Sequence, residues 1–224
     1  MNLRLLSRTA KDPDRGALSG PIAGASFIAG LAGSMTLADD PYPRPGSEPA
    51  QVRAYFTRNA GPARLSVAGQ ALSAASLVRF TASVVRLAGR TGRGSRALQA
   101  AALAGGGLAA ASLATSAACS AALTGPAGRE DSSAAALHRR GFLAGGPVHT
   151  AAFGVLVGAL GLAGLRSGEL PRPLATAGLA AAVSGLLSLL YLVAEPAGWF
   201  IPAGRFSGLI VSGIAGTRLA QDRG

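Results

Sequence analysis

Thiols, acids and aromatic rings are all scarce in this chain. Cys119 is the only cysteine, which excludes an intramolecular disulfide and a cysteine-based zinc site within one copy. Aromatic residues make up 5%, so the apolar mass is Ala, Leu, Val and Gly rather than the large rings of a soluble core. There are 10 acidic residues against 21 basic ones, giving a net charge of +11. Such a balance often signals nucleic acid, but that reading requires basic side chains clustered on a soluble face with stacking aromatics. Here Lys11 is the only lysine, and the arginines fall mostly in short segments between apolar runs. Nucleic-acid binding is therefore not expected. The only histidines are His138 and His149. On one continuous helix, eleven residues would put them on the same face about 16 Å apart, too far to share a metal. Pro147 would interrupt that helix in any case. No stretch matches a P-loop, a dinucleotide fingerprint, a zinc-protease helix or a nucleophile elbow. The expectation is a non-enzymatic protein with no catalytic, cofactor-binding or metal residues.

What the chain has in quantity is apolar length. Hydrophobic residues reach 49%, charged residues only 14%, and mean hydropathy is +0.37. A bilayer core takes about 20 apolar residues per helix. Six stretches qualify, at about 18–38, 65–87, 97–123, 142–165, 174–194 and 203–220. The fold expected is an all-α polytopic bundle of six transmembrane helices forming a single domain over 1–224. The third stretch is Ala-rich and only mildly hydrophobic, so it is expected to face protein more than lipid. The 32 glycines mostly sit inside these runs, where small residues let helix backbones approach closely. Gly16, Gly20 and Gly24 recur every fourth residue, as do Gly154 and Gly158, and Gly204, Gly208, Ser212 and Gly216. A four-residue step keeps each set on one helix face. These faces predict tight packing within the chain, or against a second copy or a membrane partner.

Orientation follows from the basic residues, which favour the cytoplasmic side. With the N-terminus inside, Arg4, Arg8, Lys11, Arg15, Arg86, Arg90, Arg93, Arg96, Arg166, Arg172, Arg218 and Arg223 are cytoplasmic. Arg44, Arg53, Arg58, Arg64, Arg129, Arg139, Arg140 and Arg205 are outside, and Arg79 lies within a span. Twelve against eight points to cytoplasmic termini. A rival reading makes the first run a cleaved signal peptide, with Arg4 and Arg8 as its basic start and 36–38 as its cleavage point. The run exceeds the usual 7–15 apolar residues of such a segment, which disfavours it.

The outer loop at 39–64 is the largest segment outside the spans. Four prolines (Pro41, Pro43, Pro45 and Pro49) extend its first half. Ser47-Glu48-Pro49 then reads as a helix start. Val52, Tyr55 and Phe56 at i, i+3 and i+4, opposite Arg53 and Arg58, predict an amphipathic helix at about 48–59 lying on the membrane surface. A lid over a cavity is the alternative.

Four polar residues in or near spans are the functional candidates. Arg79 lies about 10 Å along the helix from Arg86 at the inner end. It either snorkels to the headgroups or lines a polar cavity with Gln70. His149 opens the fourth span after Gly145-Gly146-Pro147, as an interfacial or interhelical hydrogen-bonding residue or a proton relay. Glu195 closes the fifth span beside Trp199 as a solvated loop acid at the interfacial belt, with a pair to Arg205 across the turn as the alternative. The leading function is a structural or partner-binding membrane subunit. The alternatives are a small-solute or ion transporter with Arg79 facing a cavity, and thirdly an intramembrane enzyme.

The loop phrase SEPAQVRAYFTRN before a span, and RSGELPRPLATAGL between the fourth and fifth, resemble a broad group of uncharacterised six-helix membrane proteins from GC-rich actinobacteria. In that group a Leu-Pro-Arg turn is usually followed by Trp, where this chain has Pro173. The resemblance implies a six-span fold in a bacterial plasma membrane and transfers no site residues.

Overall fold

A computed structural model describes residues 13–92 and 94–221. It is all-helical, with no strand among the described residues. The eight α-helices are α1 (Ser19–Leu37), α2 (Pro49–Arg58), α3 (Ala60–Gly89), α4 (Ser95–Leu123), α5 (Asp131–Leu143), α6 (His149–Ser167), α7 (Arg172–Leu187) and α8 (Phe200–Ala220). A π-helical turn, Ala144–Val148, joins α5 to α6, and a 3-10 turn, Ser188–Leu192, extends α7.

Among the described residues, five helical stretches are long and apolar enough to cross a membrane: Arg15–Leu37, α3, α4, Asp131–Ser167 and Arg172–Leu192. The sixth expected stretch is α8. It forms a helix of 21 residues but is not among the five, because Arg205, Arg218 and its serines and glycines dilute its apolarity. The Ala-rich stretch, expected to face protein more than lipid, divides between the two. Only 44% of the most apolar window of α4 is buried, against 72% for Asp131–Ser167. The long α5–α6 unit occupies the centre of the bundle, and α4 is intermediate, less buried than α3 at 56% and more than Arg15–Leu37 at 39% and Arg172–Leu192 at 33%.

Glycine explains how the helices come so close. A Cβ on Gly69 of α3 would stand 2.7 Å from Gly30 Cα of α1. Gly185 of α7 is wedged between two helices: its own Cβ would meet Gly154 Cα of α6 at 3.0 Å, and a Cβ on Gly204 of α8 would meet Gly185 Cα at 2.7 Å. Gly20 packs on Phe80 and the Ser212 carbonyl, and Gly216 on the Ala17 carbonyl, so the first and sixth small-residue sets meet each other. In these seams the small-residue pattern serves contacts inside the chain, where backbone dispersion replaces the hydrophobic effect that lipid does not supply.

Charged residues sort to the two ends of the bundle. At one end Asp14 pairs with Arg86 at 2.8 Å and Arg90 with Glu169 at 3.2 Å, while the Asp14 amide bonds the Leu219 carbonyl. At the other, Arg58 pairs with Asp40 at 3.3 Å and Arg53 with Asp131 at 3.1 Å. Helix α2 forms where the loop pattern predicts a helix. Its apolar face, however, is not turned to a membrane surface. Val52, Tyr55 and Phe56 are buried with Ala63, Leu123 and Ala134, because the tops of α3, α4 and α5 already offer an apolar seat. Asn59 ties the loop down, accepting from the Asp39 amide at 2.9 Å and donating to Asp40 at 3.1 Å. Arg4 and Arg8, on which the signal-peptide reading rests, lie outside the described residues.

Candidate functional site

The backbone leaves regular α-geometry where α5 meets α6. Gly146 there has φ −89° and ψ −106°, outside the helical region. Pro147 has no amide hydrogen to give, and the His149 amide donates to the Ala144 and Gly146 carbonyls. A bond from residue 149 to residue 144 is the i to i−5 step of a π-turn, and it leaves the Gly145 carbonyl without its usual helical donor. In a water-free interior such a carbonyl must find a partner.

Arg205 of α8 provides it. One guanidinium nitrogen, Nη2, donates to the Gly145 carbonyl, to the Gly146 carbonyl at 3.2 Å and to Thr150 Oγ1 at 3.1 Å. The Phe27 ring of α1 lies 5.0 Å from Arg205 Cζ, within cation–π range. Ser188, at the α7 transition to 3-10 geometry, donates to the Pro147 carbonyl at 3.1 Å. Three successive carbonyls of the broken helix are thus covered from two other helices. Arg205 Nε is buried and has no partner among the described residues. No carboxylate pairs with Arg205 among them either.

His149 sits one turn further along. Its Nδ1 lies 2.9 Å from the Ala109 carbonyl of α4, and its ring stacks on Phe153 at 5.8 Å between centroids. Being buried, the imidazole bridges α6 to α4, the interhelical role read from the sequence. The other candidates stand apart from this junction. Arg79 is exposed on the outer face of α3. Gln70 is nine residues earlier, half a turn around the helix at 100° per residue, so the two do not share one face. Gln70 Nε2 donates to Ser66 Oγ at 3.2 Å, and its Oε1 is buried without a partner. Glu195 is exposed in a 3-10 turn, Glu195–Trp199, ahead of α8.

Arg205 is the residue that sequence reasoning misplaced. The basic count places it with the outer segments, near enough to Glu195 to pair, but its hydrogen bonds go into the bundle. The helix simply begins at Phe200, three residues before the apolar run does. The signal available was Gly145-Gly146-Pro147, a break whose carbonyls need a donor from elsewhere. No protein-family model, curated protein or solved structure matches this chain.

A charged donor clamps three acceptors of a neighbouring helix, and a histidine bonds a carbonyl of another. Such an arrangement fixes the relative position of α1, α6, α7 and α8. It also leaves Arg205 with a buried Nε that has no partner among the described residues.

Proposed function

We propose that the chain is a six-span protein of a bacterial plasma membrane, with both termini cytoplasmic, acting as a non-enzymatic structural or partner-binding subunit. The loop phrases that resemble actinobacterial six-helix membrane proteins are in keeping with that reading. With Arg205 moved from loop to helix, the basic bias becomes twelve against seven, which favours the same orientation. Arg79 on the outside of α3 is where a snorkelling arginine belongs.

The outward face of α4 carries the partner-binding reading. Ala100, Ala104, Gly107, Ala111, Ala114 and Ala118 are all exposed and fall within about 80° of arc at 100° per residue. Leu103 and Leu108 flank that stripe as two ridges. Other spans turn large side chains outward, such as Ile22 and Ile28, Leu72 and Val78, Val183 and Leu186, or Ile210 and Ile214. A shallow channel of small residues between leucines fits a second helix better than it fits disordered lipid chains. A Cβ at Gly107 would meet nothing within 4 Å, so Gly107→Leu fills the channel without disturbing the monomer. Wild-type protein in nanodiscs should be a homo-oligomer, or co-purify with one membrane partner, and Gly107→Leu should remove that association at unchanged melting temperature. A strictly monomeric, partnerless wild type would sink the reading.

A second reading, a small-solute or ion transporter, is favoured by the unpaired cation of Arg205 beside a broken helix, an arrangement that transporters use to receive anions. It would require anion flux in proteoliposomes that Arg205→Gln abolishes. Flux that survives the substitution, or no flux at all, discards it.

A further inference from the structure

At the outer end of the bundle, a cavity of about 570 Å³ opens between the loop at 45–47, the second half of α5 and the turn that follows α7. Its volume is within the range of small-ligand sites. His138, Arg139, Phe142, Tyr191, Leu192 and Glu195 are among its walls. We infer that it binds an amine-bearing phosphodiester of the phosphoethanolamine type, with the amine on Glu195 and His138 and the phosphate on Arg139.

Three observations carry this assignment. First, His138 is buried, and its Nε2 has no partner among the described residues. With the imidazole neutral and its proton on Nδ1, Nε2 offers a lone pair. A buried acceptor left open selects a ligand with N–H or O–H to give. Second, one acid and one base, Glu195 and Arg139, stand on the walls of a single cavity, and no ion pair joins them. A zwitterion satisfies both at once, whereas a simple anion or cation leaves one charge opposed. Third, Phe142 and Tyr191 stack edge to face at 5.4 Å on that wall, and aromatic faces attract an ammonium group. Val193 and Trp199, exposed at 85% and 82%, follow directly in the chain. Exposed Trp at a helix end marks headgroup depth, so the cavity would lie where phospholipid headgroups are concentrated.

The inference uses the membrane placement proposed above only for that depth, and its test needs no membrane. The full chain in neutral detergent is titrated with dihexanoyl phosphatidylethanolamine and followed by native mass spectrometry. The phosphatidylcholine and phosphatidylglycerol analogues, and free phosphoethanolamine, are run beside it. One ethanolamine lipid should bind per chain, with the choline and glycerol analogues at least tenfold weaker, since neither offers an N–H donor. Glu195→Gln and Arg139→Gln, both at exposed positions, should each weaken binding about tenfold. Free phosphoethanolamine binding with the same sensitivity would assign the site to a soluble ligand, and binding of the lipid alone would assign it to the bilayer. Either result upholds the site. Equal binding of all three lipids, unchanged affinity in both variants, or no binding of any probe overturns it, and leaves the membrane placement untouched.

Discussion

Replacing Gly204 by Ala adds one methyl group at the place where α6, α7 and α8 meet. The new Cβ would stand 2.7 Å from both Gly185 Cα and Gly185 N, and 3.0 Å from the Ser184 carbonyl carbon. All three are backbone atoms, so no side chain can swing away. Carbon atoms rest at about 3.5–4.0 Å, so α8 must withdraw from α7 by roughly 0.8 Å or more. Gly185 cannot yield in the other direction, because its far side is held against Gly154 of α6 and the Thr150 carbonyl. Withdrawal also pulls Arg205, the next residue, from the carbonyls that it covers. Overpacking of this kind costs about 1–3 kcal/mol. Helix propensity returns less than about 1 kcal/mol of that, since residue 204 lies near the start of α8. At about 2–4 °C per kcal/mol for a chain of this size, the melting temperature should fall by several degrees. Cys119, the only cysteine, reports unfolding in detergent through a thiol-reactive dye. Gly107→Ala is the control, since open space surrounds that position, and it should melt at or slightly above wild type. If Gly204→Ala melts with the wild type while Gly107→Ala melts lower, the packing argument is wrong.

Two further outcomes test other parts of the architecture. Burial opposes ionisation of Asp14, but the Arg86 hydrogen bond and charge, with the Ser83 hydroxyl and the Gly16 amide, together hold its carboxyl below the usual 3.8. A lowered folded-state value stabilises the fold above that usual value, and the contribution is lost as pH falls through the lowered one. Asp14→Asn should therefore melt a few degrees below wild type at pH 7, for a half-exposed pair worth about 1 kcal/mol, and the gap should close in acid below pH 3.8; a gap that persists there refutes the assignment. For topology, Gly92→Cys in a Cys119→Ser background should react with a membrane-impermeant thiol reagent only after the membrane is opened, and labelling of intact cells would reverse the orientation.

Apolar length and small-residue spacing made the helices legible without coordinates. Each of the six runs falls on a helix, because a chain in lipid has few other ways to satisfy its backbone. The glycine sets at 16–24, 154–158 and 204–216 were readable as packing faces, since a four-residue step is a property of the helix itself. The short helix over Pro49–Arg58 was likewise visible in its proline start and its i, i+3, i+4 apolar set. Which neighbour each face would meet was not visible. The apolar side of α2 suits a membrane surface or a protein seat equally well, and only the meeting of α3, α4 and α5 beneath it decided for protein. How far α4 would be buried was hidden for the same reason, because an Ala-rich helix packs inside or outside a bundle with similar ease. Arg205 shows the limit most plainly. Its partners are 55 to 60 residues away in sequence, and its place depends on carbonyls that exist as open acceptors only once Gly146 and Pro147 have bent the helix. Local periodicity determines helices and faces; unsatisfied backbone groups created by a bend are a tertiary fact, and so is the charge that settles against them.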